Sequence, residues 1–167
     1  LLKNEISKND TQFFKNILSL PINKKWYQNE IILPAYNDLN LTRIDISSLK
    51  RCFSQNKILF SWMKCTAISA ESYNYKTRYS SKAALNFSVA MQHVDELIKK
   101  FGDEHPRIMI DRHSGRIKYR EEIQFCWPDS KIKILAENKS MSRYRLSMQN
   151  KMATLTFASK SDERHMP

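Results

Sequence analysis

Apolar residues recur along the chain in two distinct periods, and these periods predict its helices and strands. In the clearest helix, apolar side chains recur every three or four positions, at Ala84, Phe87, Met91, Val94 and Ile98. Ser80 or Ser81 is a suitable N-cap for this helix, and Lys99, Lys100 and Gly102 are typical of its C-terminus. The other patterns predict helices over 11–20, 45–56 and 118–125, an extended segment over 26–34, and strands over 58–69, 108–111, 131–135, 143–148 and 152–157.

The order of these elements predicts an α/β fold. A strand over 58–69, the long helix and a strand over 108–111 form a β-α-β unit, which implies a parallel strand pair with a right-handed crossover. Gln149 and Asn150 separate the last two strands and predict a hairpin there. If that reading is right, Tyr144 faces the core and the arginines on either side of it face away.

The most informative segment is the apolar run 108–110, which is followed at once by Asp111 and a cationic loop. A continuous apolar run of this kind suits a short strand that is covered on both faces. Asp111 then lies at the carboxyl end of the strand, where open α/β sheets bind their ligands, and its carboxylate suits a divalent metal. Arg112 and Arg116 are then candidate phosphate contacts. The alternative is a strand end followed by a solvated turn.

Charge and composition limit the classes of binding partner that the chain is expected to have. The chain has 167 residues, enough for one domain with a core, and 28 Lys and Arg against 17 Asp and Glu give a net charge of +11. This balance favours nucleic acid first and an acidic membrane second, and no apolar stretch is long enough to span a membrane. Three widely spaced cysteines and the lack of a visible signal peptide favour reduced thiols and a cytoplasmic location. With two glycines, each is expected to mark a required backbone conformation, and a Gly-rich phosphate loop is excluded.

Several short segments occur in the order and spacing of a known family. They are the helix start 81–87, the segment 110–116 with Tyr119, then Phe125, Pro128, the strand end 134–137, the segment 142–146, and Phe157 followed by 162–167. Together they resemble the ribonuclease HII-like proteins, divergent bacterial relatives of type 2 ribonuclease H. The resemblance covers 76–167 well and is loose between 26 and 69.

This resemblance implies a ribonuclease H-like mixed sheet flanked by helices, incomplete at both ends, over 58–167. Residues 1–57 are then a poorly defined N-terminal segment. It also implies metal-dependent hydrolysis of RNA in RNA–DNA hybrids, with two Mg²⁺ or Mn²⁺ ions held by four carboxylates. Asp111 matches the third of these carboxylates and Asp162 the fourth, with Glu163 as the substitute for Asp162.

The chain departs from the family in one important respect. The family's first two carboxylates come from an Asp-Glu pair on an N-terminal strand, and no such segment is present here. We therefore expect the chain to be an internal piece of a longer protein, and we expect these 167 residues alone to be inactive.

The other candidate residues each have a structural alternative. Arg112 and Arg116 contact phosphates, or they are surface charges that pair with Glu121 or Glu122. Arg143 and Arg145 face phosphates or solvent. His113 and His165 are candidate proton shuttles, against a structural hydrogen-bonding role for each.

Two further readings stay open. Asp129, Glu137 and Lys139 mimic a short nuclease signature in which two carboxylates hold a metal and a lysine activates water. The second reading is non-catalytic: a basic nucleic-acid-binding module with a decayed acidic site, or a structural basic domain that contacts RNA in a larger particle.

Overall fold

The computed structural model describes residues 12, 17–18, 39–59, 63–113 and 115–161, and the chain forms two compact units that divide between Tyr73 and Asn74. Each unit is described by itself. The domain boundaries of 1–57 and 58–167 stay a prediction.

The described part of the first unit consists mainly of one helix, α1 (Leu39–Gln55). It confirms the helix predicted over 45–56 and begins six residues earlier. All side chains from Arg43 to Cys52 are exposed. The only other regular pairing described in this unit is a single parallel bridge between Leu18 and Cys65, where the Cys65 N–H donates to the carbonyl of Ile17 at 2.7 Å.

The strand predicted over 58–69 is wrong for the residues that are described there. Residues 58–59 and 63–69 form no strand beyond the bridge at Cys65, and Leu59 is 84% exposed. High strand propensity depends on packing against neighbours, and none of the described residues of this segment is buried. Most of the helix predicted over 11–20 and all of the extended segment over 26–34 lie outside the described residues.

A short helix that the pattern did not predict, α2 (Ala70–Thr77), follows this segment. The Ser69 hydroxyl accepts a hydrogen bond from the Ser72 N–H at 3.2 Å, as an N-cap residue does. The helix has no buried residue, so the Ser69 cap, Glu71 in the first turn and Lys76 in the last turn favour it more than packing does.

The second unit contains the predicted long helix, α3 (Lys82–Phe101). Ser81 is its N-cap, and the Ser81 hydroxyl accepts from the Ala84 N–H at 3.1 Å. The buried stripe is Leu85, Phe87, Met91, Val94 and Ile98. Four of the five predicted positions are therefore confirmed, whereas Ala84 is exposed and Leu85 takes its place.

Four strands and a second helix complete the described part of this unit. They are β1 (Arg107–Asp111), α4 (Arg120–Cys126), β2 (Lys131–Glu137), β3 (Met141–Met148) and β4 (Lys151–Ala158), with a 3₁₀ turn over Gly102–Glu104 before β1. The strands form one mixed sheet in the order β1-β4-β3-β2. The α/β class, the helix after residue 118 and the β3–β4 hairpin are thus confirmed.

The parallel pair in this sheet differs from the predicted one. β1 pairs in parallel with β4, with Ile108 opposite Leu155 and Asp111 opposite Ala158, and not with the segment 58–69. The connection between the two parallel strands passes through α4, β2 and β3. β1 is consequently an edge strand, Met109 is 38% exposed, and the expectation that both faces of this strand are covered is wrong.

One face of the sheet forms the hydrophobic core. Tyr144, Leu146, Leu155 and Phe157 are fully buried there and pack with the stripe of α3 and with Ile123 of α4. Phe157 stacks on Tyr119 with ring centroids 3.9 Å apart, which fixes the loop before α4 against the centre of the sheet. The predicted burial of Tyr144 is confirmed.

The two positions occupied by glycine require it for different physical reasons. Gly115 adopts a φ of +69°, a conformation that favours glycine, as expected. Gly102 has an ordinary helical φ of −60°, and a Cβ there would lie 2.9 Å from the Lys151 Cβ. At position 102, therefore, close packing against β4 requires glycine, and the backbone conformation does not.

None of the helices described here has the length and apolar character needed to cross a membrane.

Candidate functional site

The predicted metal ligand Asp111 lies where the carboxyl ends of the two parallel strands meet. It is the last residue of β1, its side chain is exposed, and its neighbour on β4 is Ala158. The Ser161 N–H donates to Asp111 Oδ1 at 3.1 Å. No described residue donates a hydrogen bond to the second carboxylate oxygen, Oδ2, which leaves that oxygen open to a ligand.

Ser161 fastens the segment after β4 to the end of β1. Its side chain is buried, and its hydroxyl contacts the carbonyls of Ala158 at 2.8 Å and Ile110 at 3.2 Å. The chain then continues directly into Asp162 and Glu163. These two residues and His165 lie outside the described residues, so their predicted roles stay predictions. Among the described residues, no three His, Cys, Asp or Glu side chains converge as a metal site.

Arg112 is held by the turn between β2 and β3. Its guanidinium donates to the carbonyls of Lys139 and Asn138, both at 2.6 Å, and to the Ser142 hydroxyl at 3.2 Å. Its Nε is buried and has no partner within the described residues. These bonds give Arg112 a structural role, and a phosphate would have to replace them.

Arg116 takes the alternative partner that the sequence offered. It forms an ion pair with Glu122 of α4, and its guanidinium lies 5.9 Å from the centre of the Tyr119 ring. About a third of each charged side chain is exposed, so the pair is partly hydrated. Water can therefore compete with Glu122 for the Arg116 guanidinium. Of the two loop arginines, Arg116 is the one more easily released from its internal partner.

His113 is packed among aromatic rings. Its ring contacts Phe87 edge-on at a centroid distance of 5.7 Å, and its backbone N–H donates to the Tyr119 hydroxyl at 3.1 Å. Burial lowers the pKa of His113 below its ordinary value of 6.5, the nearby Arg116 charge acts in the same direction, and Asp111 opposes them. The neutral imidazole is therefore favoured. Its Nδ1 is buried and has no hydrogen-bond partner among the described residues, so both roles weighed for the His113 side chain stay predictions.

Behind this loop lies a buried polar network that the sequence did not reveal. The Tyr144 hydroxyl donates to Glu137 Oε1 at 2.5 Å and accepts from the Tyr119 N–H at 2.9 Å. Burial, followed by the bond to Glu137, raises the pKa of Tyr144 well above its ordinary value. Glu137 is thus engaged in the fold.

The signature of Asp129, Glu137 and Lys139 does not assemble as a site. Asp129 lies before the start of β2, and Glu137 is the last residue of this seven-residue strand. At about 3.3 Å per residue, the ends of β2 are roughly 20 Å apart. That separation is too large for the two carboxylates to share one metal ion, so this reading is wrong for the structure described.

Arg143 and Arg145 lie on the sheet face opposite the core. Successive side chains of a strand alternate between the two faces, and Tyr144 and Leu146 are buried in the core. Arg143 Nε donates to the Thr156 hydroxyl at 3.2 Å, whereas Arg145 is exposed.

The register adds three cations that sequence reasoning did not single out. Lys133 lies opposite Arg145, Arg145 lies opposite Thr154, and Thr154 lies opposite Arg107. Lys131 occupies the same face two residues before Lys133. We name this surface the cationic face; its members are Lys131, Lys133, Arg107, Arg143 and Arg145. The alternation of Lys131 and Lys133 with isoleucines was the available signal, but the register that joins the four strands was not visible in the sequence.

Comparisons with protein-family models, with curated proteins and with solved structures find no match for this chain.

Proposed function

We propose that this chain belongs to a ribonuclease H-like nuclease that hydrolyses RNA in RNA–DNA hybrids with the help of divalent metal ions. The observation that carries the proposal is the parallel pairing of β1 with β4, which places Asp111 beside Ser161, the residue that precedes Asp162 and Glu163 in the sequence. The sequence resemblance assigns metal-ligand roles to Asp111 and Asp162. The pairing supports these roles, because it brings the end of β1 at Asp111 beside the end of β4, the strand that precedes Asp162 in the sequence.

The environment of Asp111 suits a hard cation. The carboxylate is exposed, one oxygen is oriented by the Ser161 N–H, and the other has no donor within the described residues. Mg²⁺ and Mn²⁺ prefer such oxygen ligands and retain several waters in protein sites. In this proposal Asp111 and Asp162 hold the ions, with Glu163 as the substitute for Asp162.

Bound divalent ions would activate a water molecule and neutralise charge on the phosphate that is cleaved. The protein's own contribution is to orient the carboxylates and the nucleic acid. Ser161 fixes the Asp111 carboxylate, and Arg116 is the loop cation with the weaker internal partner. The cationic face supplies further positive charge on the sheet surface that also carries Asp111.

The test is cleavage of a labelled RNA–DNA hybrid by the full-length natural protein in Mg²⁺ and in Mn²⁺, beside an Asp111→Asn variant. We expect metal-dependent cleavage that the substitution abolishes, with the folded state unchanged by circular dichroism. Cleavage that persists in the folded variant would reject the assignment of Asp111, and no cleavage by the natural protein would reject the nuclease proposal.

A second candidate function is a nucleic-acid-binding module without catalysis. The observation that favours it is the cationic face, which needs no metal to bind phosphates. In that case the natural protein binds the hybrid with an affinity that falls as salt rises, cleaves nothing, and binds equally well after Asp111→Asn.

A further inference from the structure

We propose that the cationic face is a docking surface for the phosphate backbone of a nucleic-acid duplex, read without regard to sequence. This inference rests on the nucleic-acid substrate class named above and extends it to a surface that lies apart from the loop arginines. It assigns binding roles to Lys133 and Arg107, in addition to Arg143 and Arg145.

The cations form a row across the whole sheet. In the order of the strands, the row contains Lys133, Arg145, Thr154 and Arg107. With neighbouring strands about 4.8 Å apart, its outer cations are separated by about 14 Å at the backbone, wide enough to meet more than one phosphate. The long side chains extend this reach further.

Within the described residues, no carboxylate compensates the charge of this row. Lys133, Arg145 and Arg107 are exposed, and no carboxylate pairs with any of them in the part of the chain that the structure describes. Lys133 and Arg145 are also direct cross-strand neighbours, and like charges in that position destabilise a sheet. An arrangement that costs stability and has no carboxylate partner among the described residues points to an external polyanion.

The composition of the face selects a duplex over a single strand. Proteins that bind single strands without sequence preference stack bases on aromatic side chains. The described strands place no aromatic residue on this face: besides the cations and Asp111 it carries Thr154, Thr156, Ser147, Ala136 and Ala158, with methionines at 109, 141 and 152. Small hydroxyls and cations suit phosphate and sugar contacts, which fix a duplex without reading its bases.

The orientation of the row is consistent with the site at Asp111. Arg107 and Asp111 lie four residues apart on β1, so both are on the same face, about 13 Å apart along the strand. A duplex that is held on the row therefore reaches the carboxyl ends of β1 and β4.

The test is the salt dependence of binding, measured by fluorescence anisotropy in EDTA, where metal-dependent cleavage cannot occur. The probes are a labelled RNA–DNA hybrid, a duplex DNA of the same sequence and its single strand. We compare the full chain with a Lys133→Gln, Arg145→Gln variant. For both duplexes, we expect weaker binding by the variant and a log–log salt slope that is smaller by about two, one for each lost phosphate contact.

A matched control removes the same two residue types from the helices. Lys82 and Arg120 are exposed and are the first residues of α3 and α4, which pack on the other face of the sheet. Lys82→Gln with Arg120→Gln is expected to leave the salt slope unchanged. Equal losses in both variants would show that net charge alone drives binding, and would overturn the proposal.

The other outcomes are equally decisive. Single-strand binding as tight as duplex binding, or binding only to vesicles that contain acidic phospholipid, would overturn the proposed occupant. If the first variant unfolds, Arg107→Gln with Lys131→Gln repeats the test on the two edge strands. If hybrid binding depends on the cationic face but the natural protein does not cleave, the docking surface is supported and the nuclease proposal is rejected. If the variants bind normally and still cleave, the nuclease proposal is supported and the docking surface is rejected.

Discussion

The backbone N–H of Ser161 donates a hydrogen bond to Asp111 Oδ1 across the carboxyl ends of two parallel strands that are joined by three intervening elements. This bond gives Asp111 a structural function beside the proposed chemical one. The two functions can be separated by substitution, because asparagine keeps the acceptor oxygen and loses the charge, whereas alanine loses both.

We therefore predict that Asp111→Asn leaves the free energy of unfolding nearly unchanged, whereas Asp111→Ala lowers it by about 1 kcal/mol, the usual net value of one hydrogen bond. Urea titration followed by circular dichroism measures both. If both variants lose hybrid cleavage, the charge itself is required. Equal destabilisation by the two variants would contradict the role of Ser161 as the donor.

Local pattern accounts for the parts of the fold that the sequence predicted. The stripe from Phe87 to Ile98 and the serine before it define α3 because helix periodicity and capping are properties of neighbouring residues. The same holds for the β3–β4 hairpin around Gln149 and Asn150.

Long-range pairing accounts for what was missed. The sequence of the run 108–110 does not determine which strand lies beside it. The apolar residues of 58–69 led us to predict that segment as its parallel partner. The actual partner is β4, and this pairing brings Asp111 to Ser161 and Arg107 to Thr154. Asp111 could therefore be singled out from the sequence. Its surroundings and the row of cations could not, because both depend on the register of the strands.

The two loop arginines are predicted to differ in their contribution to stability. Arg112→Gln removes a guanidinium whose charge strengthens three hydrogen bonds, two to carbonyls and one to the Ser142 hydroxyl. We expect a loss of about 2–3 kcal/mol in the free energy of unfolding. Arg116→Gln breaks a partly hydrated ion pair with Glu122 and a distant contact with the Tyr119 ring, and the expected loss is below about 1 kcal/mol.

Chemical denaturation of the two variants side by side measures this difference, and each serves as the charge-matched control of the other. The result also decides how binding data are to be interpreted. A loss of nucleic-acid affinity in Arg116→Gln, with stability retained, identifies a phosphate contact. A stable Arg112→Gln variant would show that the turn between β2 and β3 does not depend on this arginine.

His113 is predicted to make the protein less stable in mild acid. Its folded pKa lies below the ordinary value of 6.5, so near and below that pH the unfolded chain binds a proton more readily than the folded one. The stabilisation by neutral His113 is therefore fully present above about pH 6.5 and decreases as the pH falls through that value toward the folded pKa.

The measurement is the free energy of unfolding at a series of pH values, for the natural chain and for His113→Gln. The difference between the two curves isolates this residue from the other histidines. We expect the natural chain to lose more stability than the variant on acidification. Parallel curves would contradict the neutral, buried state of the imidazole.

The cationic face leads to a prediction in which stability and binding change in opposite directions. Arg145→Thr removes one member of the like-charged pair with Lys133 and introduces a β-branched residue opposite Thr154. Cross-strand pairs of this kind contribute about 0.2–1 kcal/mol, so the free energy of unfolding is expected to rise within that range. Binding of an RNA–DNA hybrid is expected to weaken, with a salt slope smaller by about one.

The matched control is Lys82→Thr, which removes a cation from the exposed start of α3. Threonine is a weaker helix former than lysine, so this variant is not expected to gain stability, and it lies on the side of the sheet away from the cationic face. A more stable Arg145→Thr protein that binds less well would show that this sheet surface retains its repelling charges for a partner. A variant that is more stable and binds with unchanged affinity would show instead that the charges of Lys133 and Arg145 are incidental to nucleic-acid binding.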